Sequence, residues 1–147
     1  MSNLARHLWR FPTGAAQESL AQRFGLPNED GMQDWEYEVA DSNRIDEYLA
    51  VYQSGELSDD ERFSLMEMLM EAFRGADDLA TSPRFALVSN LIEASLELHL
   101  YTVWYWACMD YELEDAFENA PFMREIILRY PDRFELETSE TLESHEI

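Results

Sequence analysis

The segment from Ser58 to Gly75, SDDERFSLMEMLMEAFRG, limits what this chain can fold into more than any other stretch. Ser58 and Glu61 form an S-x-x-E capping box, in which each side chain satisfies a free backbone N–H of the other's residue. Phe63, Leu65, Met66, Leu69, Met70 and Phe73 then fall on one wide arc of a helix, with Ser64, Glu67 and Glu71 opposite and Gly75 as the stop. A helix of this kind must bury its arc against other elements, and the rest of the chain supplies more helices. Thr13 caps a segment that Gly25 and Pro27 close, and Ser2 opens a shorter one through Arg10 that Pro12 ends. After Ser42, Ile45, Tyr48, Leu49 and Tyr52 keep the i, i+3, i+4, i+7 spacing as far as Gly55. Pro121 starts a last helix, Phe122 to Tyr130, and Pro131 ends it.

Ser82-Pro83 opens the longest segment, with Val88, Leu91, Ile92 and Ser95 as its apolar face and Asn90, Glu93 and Glu97 as its polar stripe. The stripe stops at Glu97. Beyond it Leu100, Tyr101, Trp104 and Tyr105 occupy the angles held by acids, and a helix apolar all round must be surrounded. Residues 98 to 108 are therefore expected at the centre of the bundle. Residues 27 to 42 read as an acidic connector, with a short strand where Trp35, Tyr37 and Val39 alternate with Glu36 and Glu38. Phe134, Leu136 and Thr138 alternate in the same way at the start of an acidic tail. The expected fold is all-α: a single helical domain over residues 1 to 134, with five to six helices around a central apolar one, a minor strand or hairpin, and a tail over 135 to 147.

Charge narrows the function. Thirty-one acids face ten bases, all of them arginine, for a net charge of -21. Such a field repels nucleic acid and anionic membranes, and it steers basic partners inward. The plainer reading is that acidity keeps the protein soluble. One cysteine, Cys108, excludes an intrachain disulfide. The apolar run 98 to 109 is short of the roughly 20 residues that span a bilayer, and MSNLARHLWRFP lacks the apolar core and cleavage site of a secretory signal. A cytoplasmic protein is expected.

The motifs of chemistry are missing. Glu97 and His99 point apart on a helix, unlike the Glu-x-x-His of di-iron bundles. A calcium loop with Gly31 as its glycine would put Leu26 at the first ligand position, and one cysteine with three scattered histidines makes no zinc site. No glycine-rich phosphate loop, G-x-S-x-G elbow or H-E-x-x-H occurs. No metal, no cofactor and no catalytic residue is expected. His99 reads as a hydrogen-bonded core residue; its functional alternative is a pocket with Tyr101 and Trp106, as in a small helical enzyme or ligand binder.

Acidic clusters remain: Glu29, Asp30, Asp34, Glu36 and Glu38; Glu56, Asp59, Asp60 and Glu61; and Asp110, Glu112, Glu114, Asp115 and Glu118. The second sits at a helix N-terminus, where the macrodipole stabilises negative charge. The first and third adjoin large aromatics, Trp35 and Tyr37 in one and Trp106 and Tyr111 in the other, a combination that suits a basic protein surface. The expected partner contacts are Asp30, Asp34, Trp35, Glu36, Glu38, Asp110, Tyr111, Glu112, Glu114, Asp115 and Glu118. The competing reading makes both tryptophans core residues and the acids a solvated rim.

YWACMDYELEDAFENAPFMREI, residues 105 to 126, resembles small acidic helical bacterial proteins of the polymorphic-toxin immunity type. That resemblance implies a non-catalytic interaction module, an immunity or antitoxin-type inhibitor of a basic toxin or effector, and lends no catalytic residue. The alternatives are a DNA mimic, which would bind several unrelated DNA-binding proteins, and a secretion chaperone. An apolar patch on an acidic bundle also admits a homodimer.

Overall fold

The computed structural model describes residues 2–29 and 31–138. Their regular structure is helical except for two three-residue strands, and the chain is all-α. The helices are α1 (Gly14–Phe24), α2 (Trp35–Val39), α3 (Ile45–Gln53), α4 (Asp59–Ala72), α5 (Pro83–Ala94), α6 (Leu96–Ala107), α7 (Ala120–Arg129) and α8 (Pro131–Phe134), and the strands are β1 (Ser2–Leu4) and β2 (Leu136–Thr138). The punctuation read from sequence is realised at several ends. Thr13 Oγ1 accepts from the Ala16 N–H, and Gly25 closes α1 at a φ of 67°. Both halves of the Ser58–Glu61 capping box form, at 3.2 and 3.0 Å. Ser82 Oγ accepts from the Phe85 N–H at the start of α5.

Two compact units result, one of residues 11–88 and one of residues 1–10 with 89–147. In the first, α4 packs against α1, α2 and α3. Its residues Phe63 through Met70 are all buried, so the side read as polar is interior as well. The six apolar members contribute about 2 kcal/mol each in transfer free energy, an upper bound that also depends on the unfolded state. Ser64 and Glu67 are the correction: both are buried, and the Tyr37 phenol donates to Glu67 Oε2 at 2.9 Å. α4, rather than residues 98 to 108, is the helix enclosed on every side.

Burial also explains why Trp35 to Val39 form a helix where alternation predicted a strand. Trp35, Glu36 and Val39 face inward, a helical i, i+1, i+4 set. A helix of five residues has no stability of its own. Tertiary bonds hold it: Trp35 Nε1 donates to the Pro27 carbonyl at 2.7 Å, and the Gln17 amide donates to both oxygens of Glu36. Arg44 fastens the next connection by donating to the Phe24 carbonyl at 2.8 Å and to Glu47.

In the second unit, Ser2 to Leu4 are not helical. They pair antiparallel with Leu136 to Thr138, in register Leu4 with Leu136, and a single 3₁₀ turn at Arg6–Leu8 replaces the expected first helix. The expected alternation is a strand only from Leu136 to Thr138; Phe134 ends α8 and Glu135 turns the chain at a φ of 44°, and the remainder of the tail lies outside the described residues. The long segment after Pro83 breaks at Ser95, whose φ and ψ of -130° and 47° are non-helical, and kinks at His99. Leu98, His99 and Leu100 are all buried. On a regular helix they would span about 200°, at about 100° per residue. α6 packs against α7 and α8, and serine is a residue that competes with helical hydrogen bonds.

Ser58→Ala should lower stability by about 1 kcal/mol, the usual cost of losing an N-cap, in urea unfolding of the whole chain. Glu61 is held below the usual carboxylate range, first by the Ser19 hydroxyl at 2.6 Å and then by the Ser58 N–H. A depressed folded pKa contributes stability that is complete above the ordinary glutamate range and lost as pH falls through the folded value. Ser19→Ala should therefore raise the Glu61 titration midpoint in carboxyl NMR and move acid unfolding to higher pH; an unmoved midpoint would contradict the assignment.

Candidate functional site: the aromatic and acidic end of α6

The last turns of α6 do not close over with apolar neighbours. Val103, Trp106 and Ala107 are buried, whereas Tyr101 and Trp104 are half-buried and Tyr105 is exposed. These outward rings form a continuous row. Trp9 lies 5.6 Å from Tyr101 and 5.4 Å from Trp104, centroid to centroid, and Tyr105 stacks at 6.2 Å on Tyr101 and on Phe117. Phe117 also meets buried Trp106 at 4.5 Å. Offset and tilted contacts of this kind each add about 1 kcal/mol beyond area burial.

α6 ends in a left-handed residue that is not glycine, Cys108 at a φ of 49°. Such a backbone needs support. Arg124, on α7, provides it: Nε donates to the Ala107 carbonyl at 2.7 Å, and Nη2 donates to the carbonyls of Cys108 and Tyr111 at 2.6 and 2.8 Å. A cation at the negative end of the α6 dipole, bonded to its free carbonyls, satisfies two needs at once. The chain from 108 to 111 is thereby fixed, and it forms one wall of a cavity of about 470 Å³. Trp104, Tyr105, Tyr111 and Phe117 line it with Asp110 and Asp115 at its polar side. Cys108, whose thiol donates to the Tyr105 carbonyl at 3.7 Å, and Met109 complete the lining.

All five acids expected here, Asp110, Glu112, Glu114, Asp115 and Glu118, are exposed, as is Tyr111 at 62 %. Among the described residues no ion pair or side-chain hydrogen bond engages Glu112, Glu114 or Asp115. Seven arginines form pairs with acids elsewhere in the chain, and Arg124 is committed to carbonyls. Three of the exposed large apolar or aromatic side chains, Tyr105, Tyr111 and Leu113, fall within this same stretch.

The cluster around Trp35 differs. Trp35 is fully buried and Glu36 is 3 % exposed, so neither presents a surface to a partner; the Pro27 carbonyl and the Gln17 amide satisfy them inside. Asp34 and Glu38 are exposed, and Asp30 lies outside the described residues. In the second cluster Arg23 pairs with Glu56 and Arg62 with Asp59, while Glu61 serves the capping box. His99 is fully buried and Trp106 is 1 % exposed, and neither lines the cavity, which lies further along the chain than a His99 pocket would. The sequence reading missed the cavity because it assigned Trp104 and Tyr105 to the core. The signal for it was the five carboxylates that follow them without one intervening base.

No family model, no curated protein and no solved structure matches this chain. Among the described residues no helix is long and apolar enough to cross a membrane, and no group of three or more His, Cys, Asp or Glu is placed to hold a metal ion.

Arg124→Ala should cost about 2 kcal/mol, because it strips a charged donor from part-buried carbonyls. It should also speed amide hydrogen exchange at residues 108 to 111 while leaving Ala16 to Phe24 unchanged, as read by exchange mass spectrometry; uniform speeding would contradict a local role.

Proposed function

We propose that this protein is a non-catalytic interaction module that binds a basic protein through the surface of residues 105 to 118. The observation that carries the reading is the conjunction of three unengaged carboxylates, Glu112, Glu114 and Asp115, with exposed Tyr105, Tyr111 and Leu113. Apolar and aromatic side chains supply contact energy when a partner removes them from water. The acids raise the encounter rate and reject acidic competitors. An overall charge of -21 adds long-range attraction for a cationic target, and an immunity or antitoxin-type inhibitor of a basic toxin is a protein with these requirements.

Tagged protein should retain a basic protein from its host's lysate that salt elutes. Charge neutralisation by Glu112→Gln, Glu114→Gln and Asp115→Asn together should slow association with the purified partner about tenfold at low salt and flatten the salt dependence, as electrostatic steering requires. The same neutralisation at Asp34 and Glu38 should change it little. Equal rates for both variants and the unaltered chain would reject the reading, and capture of many unrelated DNA-binding proteins would favour mimicry of nucleic acid instead.

A further inference from the structure

The cavity asks for a more specific occupant than a basic surface. Four aromatic residues and two aspartates line it, together with Cys108. Aromatic faces attract cations through their quadrupoles, and carboxylates add charge and hydrogen-bond acceptors. An apolar ligand would leave Asp115 unused, and an anion would be repelled by both carboxylates. The chemistry selects an organic cation.

The same row of rings already holds one. Arg6 places its Cζ 4.2 Å from the centroid of Trp9, which packs on Trp104, a residue of the cavity lining. A guanidinium is planar, weakly hydrated and able to stack on a ring while donating to a carboxylate, whereas an ammonium is a compact and strongly hydrated charge. We infer that the cavity is the receptor for one arginine side chain of the basic partner, stacked among Trp104, Tyr105 and Tyr111 and donating to Asp115. The inference rests on the reading of this surface as a protein-binding one. The surrounding exposed acids and Leu113 favour a side chain carried on a protein, because a free small cation would make no use of them.

Cys108 is the chain's one cysteine, so its alkylation reports on the cavity alone. The probe is acetyl-Gly-Arg-Gly amide, compared with its citrulline counterpart, which keeps the shape and loses the charge, and with tetramethylammonium. The arginine peptide should slow reaction of Cys108 with iodoacetamide at millimolar concentration, and the citrulline peptide should need at least tenfold more for equal protection. Tyr111→Ser with Asp115→Asn should abolish protection while circular dichroism is unchanged, since both side chains are exposed and Arg124 holds Tyr111 by its carbonyl. Equal protection by citrulline overturns the inference, as does protection that survives the double substitution. Stronger protection by tetramethylammonium than by arginine overturns it in favour of a free quaternary cation. Partner association that is salt-steered but indifferent to Tyr111→Ser overturns the arginine receptor and leaves the acidic interaction surface standing. Peptide protection without any charge-dependent partner does the reverse: it upholds the cation site and rejects the function it was attached to.

Discussion

Arg124 donates to three backbone carbonyls at the end of α6, and the geometry of the whole acidic end of the protein depends on those bonds. A helix that stops at a left-handed cysteine exposes carbonyl groups and carries the negative end of a dipole. An acidic loop following it compounds the electrostatic problem. One guanidinium from α7 answers both, and because it is planar and forked it can reach residues 107, 108 and 111 together. Arg124 shares that work with the Tyr111 N–H, which donates to the Cys108 carbonyl at 3.0 Å, and with Phe117 packed on Trp106.

Many of the other arginines offset negative charge elsewhere. A chain with a net charge of -21 repels itself when compact, and cations must be placed where repulsion is worst or where an element needs fastening. Among the described residues several of them pair with acids, within elements as in Arg62 with Asp59 or between them as in Arg129 with Glu93. Each such exposed pair contributes little on its own. Glu112, Glu114 and Asp115, by contrast, enter no ion pair among the described residues. Those three carboxylates lie in the same stretch as the exposed side chains of Tyr105, Tyr111 and Leu113.

Much of the helix pattern was legible in the sequence, because caps and stops act over three or four residues. Thr13, Gly25, Ser58 with Glu61, and Ser82 with Pro83 each behave as their local chemistry requires. The failures share a different cause. Alternation at Trp35 to Val39 suggested a strand, but a glutamine 19 residues earlier in the chain made Glu36 acceptable inside. Glu67 looked like a solvent-facing acid until Tyr37, 30 residues away, supplied its hydrogen bond. Periodicity assigns a face by its neighbours in sequence, and burial is assigned by neighbours in space.

The end of α6 shows the same division in one stretch. Residue order alone determined that Tyr101 to Ala107 would be helical, that no base would interrupt the acids from Asp110 to Glu118, and that the chain would be helical and strongly acidic. It did not determine which side of that helix stays open. In the folded chain the segment breaks at Ser95 and kinks at His99, Leu98, His99 and Leu100 are buried, and Tyr105 is exposed. α7 and α8 pack against α6, and Arg124 holds the turn beyond it. Helix formation follows from hydrogen bonds closed within four residues, whereas the choice of exposed face is a long-range packing decision that only the folded chain makes.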